Sequence, residues 1–400
     1  MDRILNGVRK DMATVEGKLK KFGELVFYVA LSLEMLYVLI DKSEYILPYE
    51  TWLFRLTFFM FVIKIACTRY TRKEWICIFL AGILGLVSFA VTDREEIIRI
   101  VALVAAMKGI DIKTAAKLTF YETLTGCLAI VLLSLTGIVG AVSVTGHFRG
   151  GGIEETRYCL GMGHPNALHC MFFSVLVLGM AIYHEKIKWY TYVLLMLLNL
   201  GVFWLTDSRT GMLMSAAAIV LSAFLYYAKR LREKKLLYIL SIVFVICCVL
   251  LTVFVSIYGV EFSFMRQIDI RINGRFQYGK SDGGMQYWSL FSNPDNQNYF
   301  DMGYMRIFYW YGIIPGMIYT ILLCIVIWNC YKQKAYGAFL VIMSVSAYML
   351  IEAHAVSVYL GRNYILLFVG AMWYTILSRK TEDEQYFVHA LRFLKKKEEG

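Results

Sequence analysis

Long apolar runs, each close to the length of one membrane-spanning helix, recur along the whole chain. A helix needs about 20 mostly apolar residues to cross the hydrocarbon core of a bilayer. Backbone groups find no partners in lipid, so such runs must form helices. The predicted fold class is therefore all-α, a polytopic integral membrane protein with about 12 transmembrane helices. The predicted spans are residues 24–40, 51–67, 75–91, 96–110, 119–141, 165–184, 188–205, 210–228, 236–257, 312–330, 335–354 and 363–378.

Composition favours one integrated membrane domain. Hydrophobic residues make up 59% of the 400 residues and charged residues only 18%, whereas a soluble domain keeps about a quarter of its residues charged. Few prolines and no low-complexity tract argue against a second soluble domain. We therefore expect an N-terminal segment (1–23), a single transmembrane domain (24–378) and an amphipathic basic tail (379–400). Residues 386–394 of that tail show helical spacing of apolar positions, as in a helix lying on the inner membrane surface.

The distribution of lysine and arginine predicts the topology. Of the 41 basic residues, 27 fall on one side of the twelve spans, and that side includes both ends of the chain. Because cytoplasmic segments carry the excess of basic residues, both termini are predicted to be cytoplasmic, in the cell (cytoplasmic) membrane. Two long loops, 142–164 and 258–311, are then extracytoplasmic. Topology accounts for the net charge of +11, so no nucleic-acid partner is expected.

The predicted outer face is rich in arginine. Nine of its 11 basic residues are arginines, and a guanidinium binds phosphate oxygens through two parallel hydrogen bonds. A phosphorylated ligand is therefore expected on this side. Arg94 is expected to be a surface residue that tolerates lysine. The candidate phosphate ligands are Arg157, Arg209, Arg275, Arg149 and Arg271.

Two other ionisable residues, His164 and Glu352, each admit two interpretations. His164 precedes Pro165 at a helix start, where a cap is the simpler role and an anion site the alternative. Glu352, at the outer end of the eleventh predicted span, is either a general base or the partner of an arginine. Glu95 precedes Arg99 at helical spacing, which predicts a local ion pair.

Lys64 lies near the inner end of the second predicted span. A long basic side chain in that position usually extends its ammonium group to the membrane surface. We therefore expect Lys64 to reach solvent.

Four short motifs occur in order along the outer face. They are Arg157 followed by Gly-His-Pro-Asn (163–166), Ser-Arg-Thr-Gly (208–211), Asn-Gly-Arg (273–275), and Asp301-x-Gly-Tyr304 leading into Tyr-Gly-Ile-Ile (311–314). Together they resemble the O-antigen polymerase and ligase superfamily, over roughly residues 145 to 375.

That resemblance implies a metal-independent membrane glycosyltransferase without a cofactor. Its substrate would be an undecaprenyl-diphosphate-linked oligosaccharide, used at the outer face. A polymerase joins such repeat units, whereas a ligase transfers them to another acceptor and tends to carry a histidine where this chain has Asp301. The aspartate favours a polymerase, although the paired arginine-glycine motif of some polymerases is not clearly present. Membrane lipids, a flippase and a polysaccharide chain-length regulator are the other expected partners.

The proposed chemistry needs a proton acceptor and a stabilised leaving group. Glu352, Asp301 or His164 is expected to accept the proton of the attacking hydroxyl, and arginines are expected to stabilise the diphosphate. The rival interpretation is a transporter or flippase, in which inverted repeats and ionisable residues near the bilayer midplane are typical. No repeat is found, and the charges gather at the outer boundary. The arginine bias also argues against a structural scaffold.

Overall fold

The computed structural model describes most of the chain. It covers residues 2–46, 48–147, 154–353, 363–377 and 385–386, with backbone alone over 2–14 and 385–386. The phosphate-ligand candidate Arg149 lies outside the described residues, as does nearly all of the predicted tail helix (386–394).

The described chain is almost entirely helical, and every one of the twelve predicted runs overlaps a helix. In chain order the helices are α1 Asp2–Asp41, α2 Glu50–Ala66, α3 Arg72–Thr92, α4 Glu96–Ala106, α5 Ile112–Leu135, α6 Pro165–Tyr183, α7 Trp189–Thr206, α8 Arg209–Tyr227, α9 Lys229–Arg232, α10 Lys235–Tyr258, α11 Ser263–Arg271, α12 Arg275–Gly283, α13 Gly303–Tyr311, α14 Ile313–Gln333, α15 Tyr336–Tyr348 and α16 Ile365–Leu377.

Eight of the described helices are long and apolar enough to cross a membrane: α1 from Val15, α3, α5, α6, α7, α8, α10 and α14. The other four predicted spans correspond to shorter helices. These are α2, α4, α15 and α16, with 17, 11, 13 and 13 residues. The protein is thus a polytopic, all-α membrane protein, while twelve complete crossings stay a prediction.

Burial separates the lipid-facing helices from the central ones. Helices α7 and α10 expose large apolar side chains such as Trp204 (81% exposed) and Leu240 (56%), which suits a hydrocarbon environment. Helix α15, by contrast, is buried along nearly its whole length and packs against α6, α8, α14 and α16. Helix α15 therefore lies in the core of the bundle, in contact with α6.

The two long segments between spans contain ordered structure. In the first, β2 (Ser143–Gly146) pairs antiparallel with β3 (Glu155–Tyr158). The second carries α11, α12, a short 3-10 helix (Met285–Tyr287) and α13. A further two-residue pair, β1 (Tyr70–Thr71) with β4 (Gln385–Tyr386), lies near the start of α3. The extracytoplasmic location of the long segments stays a prediction.

Ion pairs with neighbouring helices replace the local pairing predicted at the start of α4. Glu95 pairs with Arg55 on α2 at 2.5 Å, and Arg99 pairs with Glu34 on α1 at 3.0 Å. The predicted local pairing of Glu95 with Arg99 was wrong because α1, α2 and α4 pack closely and bring opposite charges together across helices.

The prediction that Lys64 reaches solvent was also wrong. This side chain is 2% exposed. Its Nζ donates to Thr68 Oγ1 at 2.7 Å and to the Lys108 carbonyl at 3.2 Å. Polar groups supplied by the neighbouring chain thus hold the ammonium inside the bundle.

Candidate functional site

A cavity of about 230 Å³ brings together residues that are distant in sequence. Its walls include Lys42 from the loop after α1, His164 at the start of α6, Asp301 and Arg306 from the second long segment, and Glu352 beyond α15. The three predicted catalytic candidates, His164, Asp301 and Glu352, therefore line one cavity.

Arg275 lies behind this cavity and binds two of its carboxylates. Its Nη2 is 2.7 Å from Glu352 Oε1 and 3.3 Å from Asp301 Oδ2, and its Nη1 donates to the Ile351 carbonyl. Burial acts to lower the pKa of Arg275, but the two carboxylates outweigh it and raise the pKa above its usual value. Of the two roles predicted for Glu352, the structure shows the arginine partner. The base role stays a prediction.

The Asn-Gly-Arg motif forms the turn that presents Arg275. Asn273 and Gly274 have left-handed backbone conformations, with φ of 57° and 76°. The buried Asp269 accepts the backbone N–H of Phe276 at 2.7 Å through its carboxylate and that of Gly274 at 2.9 Å through its carbonyl. Arg275 thus begins α12 in a fixed orientation.

The Asp-x-Gly-Tyr motif joins α13 to the end of α15. The backbone N–H of Gly303 donates to the Met349 carbonyl at 2.9 Å, and the Tyr304 hydroxyl donates to the Ser346 carbonyl at 3.1 Å. A Cβ on Gly303 would lie 2.7 Å from the carbonyl oxygen of Glu352, closer than van der Waals packing allows. Glycine here lets Asp301 and Glu352 reach the same cavity.

His164 caps α6, as the simpler interpretation predicted. Its Nδ1 accepts the backbone N–H of Asn166 at 3.1 Å. Burial lowers the pKa of His164, an effect that Asp301 opposes and that Arg157 and Arg275 reinforce. A neutral imidazole whose Nδ1 accepts a bond carries its proton on Nε2. His164 is therefore set up to donate a hydrogen bond through Nε2.

The glycines before His164 serve close packing. Gly161 and Gly163 have positive φ angles of 82° and 67°. A Cβ on Gly161 would lie 2.9 Å from the side chain of Ser134 on α5. The Gly-x-Gly-His segment thus passes tightly over α5 on its way to α6.

Arg306 is a cavity residue that the sequence did not single out as a ligand. It has no carboxylate within 4.0 Å among the described residues, and its buried Nε lacks a hydrogen-bond partner there. Its Nη2 donates to the Phe300 carbonyl, and its guanidinium lies 4.8 Å from the ring of Trp310. Burial lowers its pKa. In the sequence, the feature that could have indicated a role for Arg306 was its position five residues after Asp301.

The remaining predicted phosphate ligands are not gathered at this cavity. Arg157 on β3 is 6% exposed and pairs with Glu155 at 2.6 Å and Asp207 at 3.0 Å. Arg209 is exposed at the start of α8 and forms no ion pair with a described residue. Arg271 is exposed at the end of α11.

A buried polar network that the sequence did not reveal fixes the turn between α7 and α8. His169 on α6 contacts Thr206 Oγ1 and Asn199 Oδ1, each at 3.1 Å. A Cβ on Gly211 would lie 2.6 Å from the His169 ring. The Ser-Arg-Thr-Gly motif therefore packs directly on α6. In the sequence, the features that could have indicated this network were His169 and Asn199, two polar residues within apolar runs.

The expectation that Arg94 is a surface residue was wrong. Arg94 is 6% exposed and donates to the Asn296 carbonyl and to Gln297 Oε1, each at 3.1 Å. Its guanidinium also stacks 3.9 Å from the centre of the Trp310 ring. It is buried because the second long segment folds back over the turn between α3 and α4.

No protein-family model, curated protein or solved structure matches the chain. Among the described residues, no group of three or more His, Cys, Asp or Glu side chains is arranged to hold a metal ion.

Proposed function

We propose that the protein is a membrane glycosyltransferase that joins undecaprenyl-diphosphate-linked oligosaccharide repeat units into a surface polysaccharide. The reaction would take place at the outer face of the cytoplasmic membrane. The observation that carries the proposal is the convergence of His164, Asp301 and Glu352 with two cations, Lys42 and Arg306, on one cavity. Proton transfer and binding of a diphosphate need these two kinds of group in one place.

In the proposed reaction, a hydroxyl of one sugar attacks the anomeric carbon of another. A new C–O bond forms, the bond from that carbon to the lipid diphosphate breaks, and the hydroxyl proton passes to a base. We assign Asp301 as the base because its carboxylate is 55% exposed and can meet an incoming hydroxyl. Glu352, 15% exposed and bonded to Arg275, is assigned to positioning.

The departing diphosphate needs cations that are not already neutralised, whereas Lys42 forms an ion pair with Asp41. Arg275 and Arg157 each contact two carboxylates, so we assign them to holding the site together. Arg306 faces the cavity with a buried, unbonded Nε and is the better diphosphate ligand. Such preorganised donors can stabilise developing charge in the role that a metal fills elsewhere.

His164 completes the proposed site as a hydrogen-bond donor. Its Nδ1 accepts the backbone N–H of Asn166, so the neutral ring carries its proton on Nε2, and we assign this N–H as the donor to a sugar or phosphate oxygen. This assignment replaces the general-base role among the sequence-based alternatives. A ligase of the same superfamily would use the same groups with a different acceptor.

An elongation assay with the purified protein tests the proposal. Lipid-diphosphate repeat units should form longer chains in detergent, with a metal chelator and without nucleotide or an ion gradient. Asp301→Asn should lower the turnover rate by about 10²- to 10⁴-fold, as expected for loss of a general base, without weakening substrate binding. Asp295→Asn, at an exposed aspartate of the same segment, is the matched control.

The assay also separates the rival functions. A transporter performs no chemistry in detergent, so vectorial movement of the lipid in sealed vesicles without elongation would contradict the proposal. Transfer only to an acceptor other than a repeat unit would indicate the ligase. Arg306→Lys should reduce turnover far more than Arg266→Lys, since Arg266 is exposed on α11.

A further inference from the structure

A second, larger cavity lies at the other end of the helix bundle. Its volume is about 450 Å³, and it is lined by residues 16–20 of α1, the end of α2 and the residues that follow α2 and α4. Lys20, at this cavity, is separated from Lys42 by about 33 Å along the helix, at a rise of 1.5 Å per residue. The cavity is thus remote from the site proposed above.

Cations dominate the charged lining of this cavity. It contains Glu16 and four basic residues: Lys20, Lys64, Arg69 and Lys108.

Three of these four cations have a carboxylate partner. Arg69 pairs with Glu16, and Lys20 lies 3.8 Å from Glu24. Lys108 pairs with the buried Glu74 at 2.6 Å.

Lys64 differs from the other three cations. It forms no ion pair with a described carboxylate. Its Nζ donates only to neutral oxygens, those of Thr68 and of the Lys108 backbone. The side chain is 2% exposed, and Glu24 acts on the ammonium only from beyond 4.0 Å, so the buried charge is incompletely compensated, which is costly. An ammonium has three donors, so one remains for a ligand in the cavity that Lys64 lines.

We propose that this cavity binds a phosphate-bearing anion, with Lys64 as its main ligand and Lys20 at its rim. The volume greatly exceeds the about 30 Å³ that one water molecule occupies in the liquid, so it accommodates a phosphate group together with its substituent. The ligand is either the headgroup of an anionic phospholipid or a soluble phosphorylated compound. Tyr374 and the open surface of Gly17 provide room for the rest of the ligand.

The test measures anion binding to the purified full chain in detergent. The probes are phosphatidylglycerol, with phosphatidylcholine as the neutral comparison, and inorganic phosphate, with sodium chloride at matched ionic strength. Phosphatidylglycerol or inorganic phosphate should raise the midpoint of thermal unfolding. Lys64→Met, which keeps an unbranched side chain but removes the charge, should weaken binding about tenfold or more.

A second variant fills the cavity without removing a contact. A Cβ on Gly17 meets no atom within 4 Å, so Gly17→Phe should block binding in a folded protein. Gly82→Phe is the matched control, since Gly82 on α3 is equally open and does not line the cavity. If Lys64→Met fails to fold, anion binding to Gly17→Phe still tests the proposal.

The outcomes distinguish the source of the ligand and can overturn the proposal. A shift with phosphatidylglycerol alone supports a lipid headgroup, and a shift with inorganic phosphate supports a soluble ligand. The proposal is overturned if neither probe stabilises the protein, or if Gly17→Phe binds as tightly as Gly82→Phe. Elongation activity is not measured, so the result is independent of the proposed polymerase function.

Discussion

Arg275 and Glu352 form a direct ion pair, with Nη2 2.7 Å from Oε1. Their side chains are 9% and 15% exposed. One residue begins α12 in the second long segment, and the other follows α15 in the centre of the bundle. The pair therefore fastens the segment that carries Asp301 and Arg306 to the core of the protein.

Breaking this pair should destabilise the protein. Glu352→Gln leaves the buried Arg275 with Asp301 as its remaining carboxylate partner among the described residues. Removal of one partner of a buried pair typically costs 3–5 kcal/mol, and the partial exposure of Glu352 places the expected loss at about 3 kcal/mol. The free energy of unfolding in detergent measures it.

An exposed pair of the same segment provides the control. Glu261 lies 2.7 Å from Lys280 and is 59% exposed. Glu261→Gln should cost no more than about 1 kcal/mol, as is usual for surface pairs. Equal losses for Glu352→Gln and Glu261→Gln would contradict the structural role given to Arg275.

Any side chain at position 303 should disrupt the close backbone packing of Gly303. In Gly303→Ala the new Cβ would lie 2.7 Å from the Glu352 carbonyl and 3.1 Å from that of Met349. Because these are backbone atoms, the start of α13 must move and carry Asp301 with it. We expect elongation to fall at least tenfold. Gly82→Ala, which meets open space on α3, should retain activity.

The helical fold could be predicted from the sequence because apolar run length is a local property. The residues at which helices end were harder to predict. The fourth predicted span covers residues 96–110, whereas α4 ends at Ala106. Helix α15 and the second half of α4 are buried by other helices, and apolar content alone does not distinguish a short buried helix from a complete membrane crossing.

The sequence indicated several residues of the candidate site, but not the ion pairs that these residues form. Asp301, Glu352 and His164 do line one cavity. The roles of the arginines depend on tertiary pairing, which residue type does not encode. Arg275 faces two carboxylates, whereas Arg306 faces none within 4.0 Å among the described residues. Both are arginines of the same segment, so only the folded arrangement separates a positioning residue from a ligand.

Acidification should destabilise the protein through His164. Its folded-state pKa is lowered below the ordinary value of 6.5, so the unfolded state binds a proton first as pH falls. Stability is then lost as pH drops through 6.5 towards the lower folded pKa, and the loss levels off below that. His164→Asn keeps a cap acceptor but does not titrate.

The thermal midpoint of wild type relative to His164→Asn should therefore fall between pH 7 and pH 5. His147→Asn, at an exposed position, controls for the removal of a histidine. A pH-independent difference between wild type and His164→Asn would contradict this assignment.

The topology can be tested with two cysteines placed at exposed positions on opposite sides of the predicted membrane. Tyr278 on α12 is 63% exposed, and Leu231 on α9 is 48% exposed. In a chain whose nine native cysteines are replaced by alanine, Tyr278→Cys should react with a membrane-impermeant thiol reagent in spheroplasts. Leu231→Cys, within the basic segment 229–235, should react only after lysis, because basic segments stay in the cytoplasm. The reverse pattern would place the cavity of Asp301 and Glu352 inside the cell, where the lipid-linked substrate proposed here would not reach it.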